Sequence, residues 1–155
     1  MKNHKYQITT HWDSKFSGVT SDYTSYSRNH KISSVGKPEI SASSDPMFRG
    51  DQSKYNPEEL FLASISSCHM LWYLHLCSNN KIKVIDYLDH ATGTMVEENS
   101  GCGRFSEVIL NPKVIINGSD NNELALKLHH EANKNCFIAN SCNFPIVHKP
   151  KIKLV

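Results

Sequence analysis

The chain has little arginine. Only Arg28, Arg49 and Arg104 occur among its 17 basic residues, so any chemistry that needs a guanidinium has three candidates. It has five cysteines but no C-x-x-C pair. That odd count argues against a fully paired disulfide scaffold, and the missing pairs remove the usual zinc and thioredoxin-type signatures. No apolar run reads as long enough for a membrane span. The start, Met1 to Tyr6, lacks the apolar core of a signal peptide. Together these lead to the expectation of a cytoplasmic protein. The formal charge of +2 comes with scattered basic residues, which is no footprint for nucleic acid. Repeats, low-complexity tracts and charge blocks are also lacking. What is present is ordinary: 155 residues, 39% hydrophobic and 21% charged, enough for one domain over residues 1–155 with a sizeable core.

Periodicity assigns the elements. Tyr6, Ile8, Thr10 and Trp12 alternate on one face of Lys5–Trp12, a strand pattern. A second strand is expected from about Val19 to Arg28, and a third extended piece over Ile32–Ile40, interrupted by Gly36 and Pro38. Residues 43–52 read as a polar loop. Further strands are expected over Ile82–Val96 and Arg104–Asn117, joined by a hairpin turn at Gly101-Cys102-Gly103. A helix follows over 121–135 with Leu124, Leu128 and Ala132 on its apolar face. A last strand, Ile146–Val155, closes the chain. This order is α+β, with largely antiparallel sheets around one central helix.

That central helix, 57–78, carries the densest signals. Asn56 suits the N-cap, Pro57 the first helical position, and Glu59 can close a capping box with Asn56. Its stretch from Leu60 to Cys77 is apolar almost all round, which implies burial on every side. A helix of roughly 30 Å is too long for one small chain to wrap, so a second subunit is expected.

Cys68 lies inside this helix and Cys136 ends the next one. Such a pair can run redox chemistry: a thiolate is oxidised to a sulfenic acid, and a second thiol condenses with it to a disulfide. A free thiol near pKa 8.5 is only about 3% ionised at neutral pH, so the attacking sulfur needs a nearby cation. Cys77 and Cys102 read as non-catalytic, and Cys142 as a filler or an alternative resolving thiol. A metal set from Cys68 and His75 lacks zinc-ligand spacing. His129 and His130 are expected to divide between a packed edge and a solvated face, and Arg104 to lie on a strand surface.

Asn56-Pro57-Glu58-Glu59-Leu60, Cys68 ten residues after Glu58, and Cys136-Phe137-Ile138-Ala139-Asn140-Ser141 together resemble the OsmC/Ohr family. The resemblance covers nearly the whole chain. It implies a cysteine peroxidase that reduces organic hydroperoxides and hydrogen peroxide and works as an intertwined homodimer with shared active sites. Cys68 then matches the peroxidatic cysteine, Cys136 the resolving one, and Glu58 the glutamate that orients an arginine beside the thiolate. In the family that arginine lies in a loop after the first strand. Here the loop, residues 13–18, holds none; Arg49, ranked slightly first, and Arg28 are the replacements. Glu58 and Cys68 are ten residues, about 15 Å, apart along one helix, so they are expected to serve one site either with Glu58 arriving from a partner subunit or through a long arginine that bridges the gap, and the site is expected at a dimer interface. Phe61, Leu71 and Trp72 are expected to favour an apolar peroxide. The resemblance implies no bound cofactor and an external dithiol reductant, a lipoylated protein or a small thiol. The alternative is a non-catalytic protein of the same fold that binds a lipid or acyl ligand or senses redox state.

Overall fold

A computed structural model describes residues 2–155. The chain divides into two compact units, one ending at Leu60 and one spanning Phe61–Val155.

In the first unit, β1 (Thr9–His11), β2 (His30–Ser33) and β3 (Ile40–Ala42) form an antiparallel sheet in the order β1-β2-β3. The strand expected over Val19–Arg28 is absent. A four-residue helix, α1 (Ser14–Ser17), follows β1 with Asp13 as its N-cap. The chain after it runs through turns and bends. The cause is local side-chain bonding, which competes with a ladder. Asp22 Oδ1 accepts from both the backbone and the hydroxyl of Thr24 at 2.7 and 2.6 Å, and Ser25 Oγ donates to Val19 O at 2.6 Å. The third extended piece is two strands, β2 and β3, around a turn whose Gly36 takes φ +74°.

The polar loop contains a 3-10 turn, Pro46–Phe48. A Cβ on Gly50 would lie 1.6 Å from Ser44 O, so the close approach of these two backbones admits only glycine. Arg49, just before it, is in the left-handed region at φ +65° and is exposed.

Helix α2 spans Pro57–Asn79, one residue beyond its expected end. Its start is the capping box the motif predicts. Asn56 Oδ1 accepts from Glu59 N at 2.7 Å, and Glu59 Oε2 accepts from Asn56 N at 3.1 Å.

Within the second unit, each of three expected strands is two. Ile82–Val96 divides into β4 (Val84–Asp89) and β5 (Thr92–Glu97). Arg104–Asn117 divides into β6 (Gly103–Leu110) and β7 (Pro112–Ile116). Ile146–Val155 divides into β8 (Ile146–His148) and β9 (Lys151–Leu154). The halves belong to separate sheets, β4-β7-β9 and β5-β6-β8. Pro112 and Pro150 sit at two of the three breaks, where a missing N–H interrupts a ladder. β4 and β5 pair antiparallel with β7 and β6, but β8 and β9 join parallel to β6 and β7. Helix α3 (Asn122–Asn135) starts at Asn121, whose side chain accepts from Leu124 N.

Two apolar clusters share the second unit. Tyr73, Cys77, Ile82, Val114, Ile116 and Leu128 form part of one, and Ile65, Val108 and Leu110 the centre of the other. Helix α2 serves both through one buried stripe at a spacing of four: Ile65, His69, Tyr73 and Cys77. Burial on every side is therefore not met within one chain; Leu71 is 62% exposed. By length and composition α2 also passes as a membrane span, with a window of mean hydropathy 1.3, against the expectation from sequence. Its buried stripe builds the core of this unit, which is how the central helix of a globular fold behaves.

Candidate functional site

The two cysteines singled out by sequence meet. Cys68, on α2, is partly exposed, and Cys136, the C-cap of α3, is fully buried. Burial, and after it the neighbouring Cys68 thiol, push the Cys136 thiol up to about 11. The Ala139 N–H donates to Cys136 Sγ at 3.4 Å and pulls the other way. Burial prevails, so Cys136 holds its proton at neutral pH. The arrangement is one accessible sulfur beside one dry thiol, close enough to interact directly.

The other cysteines are placed apart from this pair. Cys77 is buried in the first cluster, with burial raising its thiol. Cys102 is exposed in the β5–β6 turn. Cys142 packs beside the Ile65 cluster and donates to Ile138 O at 3.3 Å. His75 is exposed and bonds to Asn79 at 3.2 Å. Among the described residues no group of three or more His, Cys, Asp or Glu side chains could hold a metal.

The expected apolar pocket residues are spread along α2. Phe61 packs on Phe105 and Phe144 at ring separations of 5.2 and 6.1 Å. Trp72 packs edge-on against Phe137 at 5.6 Å, next to the other cluster. Eleven residues separate Phe61 from Trp72, about 16 Å of helix.

The arginines differ sharply. Arg28 is partly buried in the first unit. Its Nη1 and Nη2 donate to Tyr26 O and Tyr23 O at 2.5 and 2.6 Å, and its guanidinium lies 4.0 Å over the Tyr26 ring and 4.5 Å over that of Tyr23. It lines a cavity of about 310 Å³ together with Trp12, Ser43 and Pro57. Arg49 is at the surface, where its charge adds slightly to the lowering of Asp22. Arg104 is exposed on β6. Glu58 follows Pro57, and its Oε2 is closed off from solvent without a hydrogen-bond partner. A carboxylate oxygen in that condition needs a cation or a donor.

Sequence reasoning missed one feature of this region. His69 and His129, sixty residues apart, are 1% and 0% exposed and bonded to each other, Nε2 to Nδ1, at 3.1 Å. The only sequence signal was a polar residue on an otherwise apolar stripe of α2. Burial first, and then the repulsion that neighbouring imidazoles would exert on a charged ring (His148 on His69; His69 and His148 on His129), lower His69 to about 4 and His129 to about 3.

Comparison with known proteins agrees with this architecture. Residues 50–151 match the family model described as OsmC-like protein. An OsmC-like protein of unknown function from Vibrio cholerae is 31% identical, with TM-score 0.88 over 96% of this chain and 100% of that one. An organic hydroperoxide resistance protein from Elizabethkingia anophelis shares the fold at 20% identity, TM-score 0.69, covering 99% and 100% of the two chains. The organic hydroperoxide resistance protein OhrB of Bacillus subtilis does so at 17% identity, TM-score 0.62, covering 97% and 98%. Among curated proteins, none matches the chain by sequence. On the family match and the Vibrio cholerae relative together, this chain belongs to the OsmC-like family.

Proposed function

We propose that the chain is a cysteine peroxidase that reduces organic hydroperoxides, with Cys68 as the attacking sulfur and Cys136 as the resolving one. The observation that carries this reading is the contact between an accessible Cys68 and a buried, proton-holding Cys136. The names of the Elizabethkingia and Bacillus proteins, organic hydroperoxide resistance proteins, point to the same substrate class.

The Cys68 thiolate attacks the distal oxygen of ROOH. The O–O bond breaks, an S–O bond forms, and the alkoxide leaves as ROH after taking a proton. The Cys136 thiol then attacks the sulfenic sulfur. The S–S bond forms, the S–O bond breaks, and the hydroxyl departs as water with the Cys136 proton. An external dithiol, a lipoylated protein or a small thiol, reduces the disulfide.

A guanidinium stabilises the thiolate and the charge on the leaving oxygen. Arg28 is the better candidate than Arg49, because its head group is already held by two carbonyls and two rings, whereas Arg49 is at the surface. The orphaned Glu58 Oε2 is the carboxylate to hold it. Glu58 and Cys68 are about 15 Å apart on α2, so a second copy of the chain completes each site. The half-exposed apolar side of α2, including Leu71, is the surface that this copy covers. Phe61, Leu71 and Trp72 bias the site towards apolar peroxides.

Steady consumption of an aryl hydroperoxide, measured with dihydrolipoamide and with dithiothreitol as donors, tests the reading. Turnover with a dithiol supports it. A chain that binds a fatty acid and leaves every hydroperoxide untouched would be the non-catalytic protein instead.

A further inference from the structure

The His69–His129 pair has a geometry that a packing role does not require. The ring planes are nearly parallel, 9° apart, with centroids separated by 5.4 Å. That separation exceeds the 3.1 Å between the nitrogens by about two ring radii. Both nitrogens therefore lie on the line joining the centroids, and the contact is an in-line N–H···N bond rather than a stack of faces. Two lone pairs converging on one metal ion would be bent instead.

The outer nitrogens, His69 Nδ1 and His129 Nε2, are both buried without a partner. A neutral imidazole has one N–H and one lone pair. In either tautomeric state of the pair, one end is thus an unpaired donor and the other an unpaired acceptor. Passing one proton along the pair exchanges the two states. Neutral rings are required for this, since an imidazolium only donates, and burial keeps both rings neutral.

The pair has a route outward. His148, on β8, lies 5.7 Å from His69 by ring centroids and carries its own unpartnered buried Nδ1. His130, exposed on α3, lies 6.2 Å from His148. The pair also lies beside the thiols in the chain. His69 follows Cys68 on α2, and His129 precedes Cys136 by seven residues, two turns along the same face of α3.

We infer that His69 and His129, with His148 and His130 leading to the surface, form a proton relay serving the Cys68–Cys136 centre. This rests on the peroxidase reading above. There the leaving alkoxide takes up one proton when Cys68 is oxidised, and one proton is released when the disulfide is reduced to thiolate and thiol. The relay carries the first inward and the second outward. Both histidines are positioning residues, since neither is placed against the reacting atoms.

The test is the rate at which reduced protein reacts with one equivalent of aryl hydroperoxide, in wild type, His69→Gln and His129→Gln. Glutamine keeps a donor and an acceptor but cannot pass a proton. Both variants are expected to react roughly a hundredfold more slowly, to regain rate with added imidazole, and to show a larger solvent deuterium effect than wild type. Folded variants that react within twofold of wild type, or slow variants that imidazole does not help and whose isotope effect is unchanged, overturn the relay. A wild type that does not react at all sinks the peroxidase reading and the relay with it, a distinct result. Nitrogen-15 NMR of wild type at pH 7 provides a check independent of activity. One protonated and one bare nitrogen per ring is expected, and an imidazolium at either position contradicts the inference.

Discussion

Two rungs cross between α2 and α3, one of sulfur and one of imidazole, and burial moves their titrations in opposite directions to the same end. Cys136 is pushed up and keeps its proton; His69 and His129 are pushed down and refuse a second one. In each case the dry environment selects the uncharged form. The difference lies in access. The thiol rung has one partly exposed member, Cys68, whereas the imidazole rung is closed to solvent at both residues. On the proposed reading, the group that meets substrate must be reachable, and groups that only pass protons need not be.

The largest expected effect separates the two members of the thiol rung. Cys68→Ser should reduce peroxide consumption below detection, because no other described cysteine is placed as the attacking sulfur. Cys136→Ser should leave the first oxidation of Cys68 intact and then stall with Cys68 over-oxidised. Equal loss of the first turnover in both variants would contradict the division between an accessible and a buried thiol. Next in size is the charge that the thiol rung needs and the imidazole rung does not. Arg28→Ala should lower kcat/KM on the order of a hundredfold, and Arg49→Ala should change it less than twofold. The reverse order would return the role to the exposed arginine.

The imidazole rung is read out by acid. Unfolded histidines take up protons below 6.5, while His69 and His129 hold out to about 4 and about 3. The unfolded state therefore binds more protons in that window, and stability falls as pH drops from 6.5 towards 4. At about 1.4 kcal/mol per unit, the loss by pH 4 is on the order of 3 kcal/mol for each ring. A thermal melt series across these pH values should show it, and the double variant His69→Gln, His129→Gln should flatten the dependence. A wild-type melting temperature constant from pH 7 to 4.5 would break the comparison. Cys136 gives the mirror image. Its ordinary value of 9.0 is raised to about 11, so its contribution is lost as pH rises through that interval.

How much was legible beforehand follows the range of the signal. The start of α2 was readable because its determinants, Asn56, Pro57 and Glu59, are neighbours, and the capping box formed. The Cys68–Cys136 pair was suggested by their places inside one helix and at the end of the next, and by a resemblance covering both motifs, but neither signal gives their spatial contact. The splitting of each long strand between two sheets was not readable. Asn111-Pro112 and Lys149-Pro150 mark two of the breaks, but which sheet each half joins depends on partners far along the chain. The loop at Val19–Arg28 has the Thr, Ser and Tyr content of a strand, yet Asp22 and Ser25 take its backbone groups locally. The imidazole rung joins residues sixty positions apart, and no local pattern pairs them.

The smallest expected effect concerns the frame that holds both rungs. Asn56→Ala removes the side chain that accepts from Glu59 N and should cost about 1 kcal/mol of stability. It should leave the relative reactivity of Cys68 and Cys136 unchanged. A larger loss in activity than in stability would mean that the helix start also sets the site.

The most direct test treats the fully reduced protein with one equivalent of an aryl hydroperoxide, then blocks remaining thiols and maps the peptides by mass. A single disulfide joining Cys68 to Cys136 is expected, with Cys77, Cys102 and Cys142 alkylated. A disulfide between any other pair, or a sulfinic Cys68 beside an alkylated Cys136, would contradict it.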